Sequence, residues 1–138
     1  MSDATFTLHP QLSADTFLVA DWPLCRILRM NDQTYPWLIL VPRRNALREI
    51  IDLSEDDQLT LMREISRTST ALRDLTSAHK LNVAALGNAV PQLHIHIIAR
   101  FTGDPAWPRP IWGVNPPKPF DEASARAEAE RLRAALGQ

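Results

Sequence analysis

The sequence predicts an α+β domain: an antiparallel sheet of about five strands, one long helix packed on one face of the sheet, and a second helix at the carboxyl end. Three observations lead to this class. Apolar segments of strand length come in two pairs, a short connection with turn chemistry joins each pair, and a long segment of helical periodicity separates the pairs. Hairpins on both sides of one helix are typical of an α+β meander.

Length and composition fit one folded unit. With 138 residues the chain can bury a core without disulfides, and we expect a single domain over 1–138 whose core spans about 24–100. The lone cysteine, Cys25, lies in an apolar segment and is predicted to belong to that core. Lys and Arg total 15 against 16 for Asp and Glu, so the chain lacks the basic field of a nucleic-acid-binding protein.

The first predicted hairpin joins "LCRILRMN" (24–31) to "WLILVPR" (37–43). Both segments are apolar and of strand length. The connection "DQTYP" between them has the polar and proline residues of a turn. We therefore expect two antiparallel neighbours in the sheet.

The long helix is predicted from about Glu55 to about Ser77. Ser54 is an N-cap residue, and the acids that follow it occupy the first turn, where the helix dipole favours negative charge. Apolar side chains then recur at helical spacing, which predicts one buried face. They are Leu61, Met62, Ile65, Leu72 and Leu75.

The second predicted hairpin joins "KLNVAAL" (80–86) to "QLHIHIIAR" (92–100). Gly87 and Pro91 mark the turn between them. Residues 105–119 contain six prolines, which excludes a helix or a central strand and predicts a loop. A final helix is expected over about 121–136, packed on the domain or on a partner subunit through a thin apolar stripe.

The amino-terminal residues lack the basic start and apolar run of a signal peptide, and no segment has the length of a membrane span. We therefore expect a cytoplasmic protein without a membrane partner. Four glycines in the whole chain form neither a P-loop nor a dinucleotide-binding turn, which argues against a P-loop kinase or a dinucleotide dehydrogenase.

The strand "QLHIHIIAR" carries the residues that suggest chemistry. Because side chains alternate along a strand, Gln92, His94 and His96 are predicted on one face, opposite an apolar face that can pack under the helix. The histidine face is then expected to stay open for chemistry. Imidazole can attack an electrophile, donate a proton or bind a metal near neutral pH. Two partly buried structural histidines are an alternative, and so is a zinc site that takes a third ligand from elsewhere.

The order of these segments resembles the histidine triad (HIT) family of nucleotide hydrolases and transferases. A strand ending in "MND", a strand ending in "LVPR", a long helix and then "GNAVPQLHIHIIAR" carry the resemblance, over roughly 24–100. The family has three histidines alternating with apolar residues on one strand, followed shortly by Pro-Arg. On resemblance, His94 occupies the position of the middle histidine, the nucleophile, and His96 that of the last one.

The chain departs from the family pattern at three places. Gln92 stands where the first histidine belongs, as in a bacterial variant with "PQLHIH"-type strands, and Ala99 replaces the usual proline before Arg100. In addition, "YPWLILVP" lacks the Gly-His pair that often enters that strand. Attack by the middle ring is still expected, since a backbone carbonyl can set its orientation.

The candidate substrate contacts are Asn31, Asn88, Gln92 and Arg100. The resemblance implies that Asn31 meets the ribose hydroxyls and that Asn88 reaches a phosphate, although each is equally explained as a turn residue. Gln92 can donate through its amide, and Arg100 faces the same side as the histidines, where it can steer a polyphosphate.

The resemblance further implies a nucleotidyl hydrolase that acts on a dinucleoside polyphosphate or a nucleoside phosphoramidate, without a cofactor or metal. A non-catalytic nucleotide sensor is the alternative. The family also implies a homodimer formed through sheet edges and the carboxyl-terminal segment. Trp107 and Trp112 in the proline-rich loop are interpreted as anchors of that loop, with a subunit interface or a cap on the nucleotide as the alternatives.

Overall fold

A computed structural model describes residues 5–137 of the chain. Five strands and three helices follow one another in this order: α1 (Pro10–Asp15), β1 (Thr16–Asp21), β2 (Cys25–Met30), β3 (Trp37–Pro42), α2 (Glu55–Thr76), β4 (Lys80–Ala84), β5 (Ile95–Arg100) and α3 (Glu122–Leu136). A short 3-10 helix, Ile50–Asp52, precedes α2.

The strands form one antiparallel sheet in the order β1-β2-β3-β5-β4. Both predicted hairpins are present, and β5 lies in the interior of the sheet because it pairs with β3 as well as with β4. Every residue of β3 and of β5 is buried. The catalytic candidates therefore lie at the start of a strand that is held on both sides.

One face of the sheet packs under both long helices. Alternate residues of β5, Leu93 before it, and the apolar stripes of α2 and α3 share a single core. Helix α2 begins at an N-cap, where Ser54 accepts from the amide of Asp57, and ends at Ser77 in the left-handed conformation. The buried carboxylate of Glu64 accepts the amides of Leu24 and Cys25, which joins this helix to the start of β2.

The opposite face of the sheet, which carries the histidines, was predicted to be open, but other segments of the chain cover it. Apolar residues of that face (Leu28, Trp37, Ile39, Val41 and Ile98) form a second core with Leu12, Ala106 and Ile111. Leu12 comes from the amino-terminal segment, and Ala106 and Ile111 come from the proline-rich loop. The expectation of an uncovered face was wrong because the three central strands, β2, β3 and β5, place apolar side chains on both faces, and both faces need cover.

The α+β class, the five-stranded sheet and the long helix are confirmed, and the predicted element ends agree to within a few residues. The strand expected over 92–100 is shorter, since β5 starts at Ile95 and His94 directly precedes it. The sequence prediction did not place α1 or β1. Among residues 5–137, none of the helices combines the length and apolar character needed to cross a lipid bilayer.

Candidate functional site

The two histidines of the motif lie side by side on the same face of the sheet. Their ring centroids are 4.9 Å apart and the rings meet edge to face. Both are nearly buried, with 6% of His94 and 5% of His96 exposed. The alternation predicted from the sequence thus brings the two rings into direct contact.

The orientation of His94 is set by a backbone carbonyl two residues earlier in the chain. Its Nδ1 lies 2.7 Å from the carbonyl oxygen of Gln92. A carbonyl oxygen only accepts hydrogen bonds, so Nδ1 carries the proton and the neutral ring has its lone pair on Nε2. This arrangement leaves Nε2 as the nucleophilic nitrogen.

His96 has the opposite tautomer. The indole Nε1 of Trp37 donates to its Nδ1 at 3.0 Å, in a buried environment. Because indole N–H only donates, Nδ1 of His96 is unprotonated and the neutral ring carries its proton on Nε2. Burial, with a smaller contribution from the neighbouring His94, lowers the pKa of His96 to about 4. The pair therefore combines a lone pair on one ring with an N–H donor on the other.

Aromatic side chains surround His96. The ring centroid of Trp37 is 5.9 Å from that of His96, and the ring centroid of Trp112 is 5.2 Å from it. Trp37 and Trp112 also meet each other edge to face, 6.3 Å apart. Trp112 thus brings the proline-rich loop onto the histidine face, as one of the sequence interpretations allowed. Trp107 instead packs on His79 and over Arg100, where it anchors the start of the loop.

A cavity of about 400 Å³ adjoins these tryptophans. It lies between the end of β2, the start of β3 and the proline-rich loop, and its lining includes Asn31, Tyr35, Trp37, Trp112 and Asn115. The Oδ1 of Asn31 accepts the amide of Phe120 at 2.8 Å, and this bond fixes the orientation of the side-chain amide. The cavity is large enough for part of a small molecule and has both apolar and polar walls.

Gln92 holds the amino-terminal segment instead of pointing freely from the histidine face. Its Nε2 donates to the carbonyl of Thr7 at 2.9 Å, and its Oε1 accepts the amide of His9 at 2.8 Å. The side-chain amide therefore pairs with the backbone on both sides of Leu8. In this position the side-chain amide predicted to donate to a phosphate is engaged by the amino-terminal segment, while the backbone carbonyl of the same residue orients His94.

Arg100 lies in a buried ion pair and not beside an open site. It is 1% exposed, its guanidinium binds both carboxylate oxygens of Asp104, and its Nη1 donates to Asn82 at 2.7 Å. Asp104 also accepts the amides of Phe101, Ala106 and Trp107. The predicted contact between Arg100 and a polyphosphate has no support in this arrangement, because the guanidinium is buried and already pairs with Asp104 and Asn82.

Asn88 lies exposed in the turn after Gly87, which has a φ of +72°. A narrow cleft nearby is lined by His94 together with Arg48, Glu49 and Gly87. Reasoning from sequence did not assign a role to Arg48, Glu49 or the partner of His96. Trp37 lies in "YPWLILVP", the segment that lacks the Gly-His pair of the family. This departure from the family pattern is the sequence signal nearest to Trp37.

Comparisons with known proteins place this arrangement among relatives. The family model described as the HIT domain matches residues 11–103. A histidine triad protein of Bradyrhizobium japonicum is 53% identical with a TM-score of 0.91, covering 95% of this chain and 98% of that chain. A histidine triad protein of Marinobacter aquaeolei is 47% identical with a TM-score of 0.93, covering 96% and 97%. A third, from Sinorhizobium meliloti, is 41% identical with a TM-score of 0.94, covering 97% and 99%. No match was found among curated proteins.

Proposed function

Since the chain belongs to the HIT domain family, we propose that it is a nucleotidyl hydrolase of the histidine triad type, in the variant with glutamine at the first histidine position. The observation that carries the proposal is the hydrogen bond from Nδ1 of His94 to the carbonyl of Gln92. It presents the Nε2 lone pair of a rigid ring on the same face as a second imidazole. The substrate is a dinucleoside polyphosphate or a nucleoside phosphoramidate.

In the proposed first step, Nε2 of His94 attacks the α-phosphorus of the substrate. A nitrogen–phosphorus bond forms while the bond to the leaving group breaks, and the leaving group takes that electron pair, together with a proton from solvent when it is an amine. In the second step, water attacks phosphorus and loses a proton to solvent, the bond to Nε2 breaks with its electron pair returning to His94, and the nucleoside monophosphate leaves. Covalent catalysis of this kind replaces one difficult displacement by two easier ones.

His96 has the chemistry to assist both steps. Its neutral ring carries the proton on Nε2, and a hydrogen bond from that group to a phosphoryl oxygen favours the charge that develops there. A preorganised donor of this kind is typically worth about 10²–10³ in rate. The low pKa of His96 argues for a hydrogen-bond donor and against an imidazolium that gives up its proton to the leaving group.

The nucleoside is proposed to bind in the cavity beside Trp37 and Trp112. Its aromatic lining suits a purine or pyrimidine ring, and Asn31 lies at its edge with Nδ2 as a donor toward ribose. Asn88, exposed near the narrow cleft at His94, stays the candidate contact for phosphate. Gln92 contributes through its backbone carbonyl, since its side chain is engaged by the amino-terminal segment.

The test is turnover and covalent labelling by a dinucleoside tetraphosphate and an adenosine phosphoramidate. We expect His94→Ala to lower turnover by several orders of magnitude, and mass spectrometry of the quenched wild type to find one nucleotide on His94. His79→Ala is the matched control, because His79 packs on Trp107 away from the histidine pair. Wild-type turnover in His94→Ala would refute the proposal.

A nucleotide sensor without turnover is the second candidate. The near burial of both rings favours it, and the cleft that His94 lines is narrow. A sensor binds nucleoside monophosphate and forms no adduct, so the labelling experiment separates the two functions. A zinc hydrolase built on His94 and His96 has less support: in the range 5–137, no group of three or more His, Cys, Asp or Glu side chains is arranged to bind a metal.

The proposed enzyme is a homodimer joined through sheet edges and the carboxyl-terminal segment. Within residues 5–137, no strand pairs with the outer edge of β4, and Val83 on this strand is 49% exposed. Light scattering after size-exclusion chromatography tests the dimer; a monomer at micromolar concentration would contradict it. The cytoplasmic location stays a prediction from the sequence.

A further inference from the structure

Trp37 provides the feature of the site that the proposed function does not yet use. It is the first residue of β3, and its register partner on β5 is Ile98, two residues beyond His96. The side chain lies on the histidine face, and its indole Nε1 reaches Nδ1 of His96 at 3.0 Å. The bond is buried, so water does not compete for either atom.

We propose that Trp37 is a positioning residue that holds His96 in the Nε2–H tautomer and in a fixed ring orientation. The inference rests on the proposed function for its catalytic consequence, but the tautomer itself is a property of the free protein. An indole N–H donates and never accepts, so the bond is compatible with only one neutral tautomer of His96. The donor that His96 offers to a phosphoryl oxygen is thereby ready before substrate binds.

The surroundings of His96 support a ring that stays neutral. Its partners across the sheet are Ile39 on β3 and Ala84 on β4, neither of which ionises. Trp112 covers it from the proline-rich loop, and His94, which directly precedes β5, is the ionisable side chain whose ring contacts it. A hydrogen bond donated to the neutral form disfavours protonation. Burial acts in the same direction, and the pKa of His96 is lowered to about 4.

The two rings of the pair are thus assigned different roles by two different partners. The carbonyl of Gln92 places the proton of His94 on Nδ1, and the indole of Trp37 places the proton of His96 on Nε2. Without the second constraint, the imidazole of His96 can rotate or exchange its proton between the two nitrogens. Trp37 therefore determines whether the second ring offers a donor or a lone pair to the reacting phosphate.

The direct test is the imidazole nitrogen spectrum of the free wild-type protein, from two-bond ¹⁵N–¹H correlations at neutral pH. We expect an unprotonated Nδ1 and a protonated Nε2 for His96, and the reverse for His94. A proton on Nδ1 of His96 would overturn the proposal without any variant being made. This measurement uses no substrate, so it stands even if the proposed hydrolase activity is not found.

Trp37→Phe tests the cause, because it removes the N–H donor and keeps an aromatic ring. We expect mixed tautomers at His96 and a rise of its pKa by about one, since one hydrogen bond of ordinary strength is lost. With the substrate that the wild type hydrolyses, kcat should fall about tenfold while KM changes little. A His96 spectrum and titration identical to those of wild type would refute the role of Trp37.

Two controls separate positioning from packing. Trp112→Phe changes the other tryptophan in contact with His96. In the described part of the chain no hydrogen bond joins Trp112 to His96, so this variant should leave the tautomer of His96 unchanged. Trp22→Phe makes the same chemical change at a buried indole outside the site, whose Nε1 has no partner among the described residues. It should leave both the tautomer and kcat unchanged. A change of tautomer in either control would contradict a specific role for Trp37.

Discussion

Replacement of Asp104 by Asn gives the sharpest test of how the proline-rich loop is attached to β5, the strand that follows His94. Asp104 faces Arg100 in an ion pair whose side chains are 6% and 1% exposed, with a shortest distance of 2.8 Å. The substitution keeps the size of the side chain but removes its charge and one of its two acceptor oxygens. It leaves the guanidinium buried without a counter-charge.

Two considerations set the expected loss of stability, and the second includes the first. The hydrogen bond from Arg100 is the largest cause that lowers the pKa of Asp104, from 3.8 to about 2. At about 1.4 kcal/mol per pKa unit, the charged form contributes about 2 kcal/mol to stability at neutral pH. Breaking a buried pair by removing one partner typically costs about 3–5 kcal/mol, since the remaining charge is uncompensated. We expect a loss of about 3–5 kcal/mol for Asp104→Asn.

The assay is urea unfolding of wild type and variant at pH 7 and at lower pH. A carboxyl whose folded pKa is depressed stabilises the protein above its unfolded pKa, and this contribution is lost as the pH falls through the folded value. The difference between the two proteins should therefore narrow between about pH 4 and pH 2. A loss below about 1 kcal/mol at pH 7, or a difference independent of pH, would refute the reasoning.

Two further variants sharpen this experiment. Glu122→Gln removes one partner of the exposed pair with Arg126 and should change stability within experimental error. Arg100→Met, added to Asp104→Asn, should recover part of the loss because the unpaired charge is gone. If Arg100→Met alone weakened nucleotide binding without loss of stability, the original prediction of a polyphosphate contact would be restored.

Two other predictions concern contacts near the starts of β5 and β2. Gln92→Leu removes two hydrogen bonds to the amino-terminal segment and should lower the free energy of unfolding by about 1–3 kcal/mol. Faster hydrogen exchange of the His9 amide is the specific sign, and unchanged exchange would show that Gln92 does not hold the segment. The Cys25 thiol is buried beside Glu64, and burial raises its pKa far above the ordinary value, so iodoacetamide should modify it only at the rate of global unfolding; rapid modification of the folded protein would contradict its burial.

The elements that the sequence predicted well are those with strong local signals. The N-cap and acidic first turn of α2 place its start at Glu55, as predicted. Its end at Thr76 was expected within one residue. The turn signals between the strands likewise located both hairpins. By contrast, β1 lies on an edge of the sheet, and its half-buried, exposed and buried positions do not alternate regularly, so the pattern lacks a clear period.

At the site, alternation along a strand was sufficient to predict that His94 and His96 share a face, because this periodicity is a property of the extended backbone. The partners of the side chains were not predictable in the same way. Gln92 binds a segment more than 80 residues away in sequence. Trp37 on β3 binds His96 on the neighbouring strand β5. Such contacts depend on which strands become neighbours.

The sequence by itself determined the α+β class, the long helix, the two hairpins and the histidine pair, since local periodicity and turn chemistry encode each of them. Only the tertiary structure decided which nitrogen of each imidazole carries the proton, that Arg100 is held in a buried ion pair, and that two distant segments cover the histidine face. The physical reason is that a tautomer or an ion pair depends on the donors, acceptors and charges that folding brings to one place.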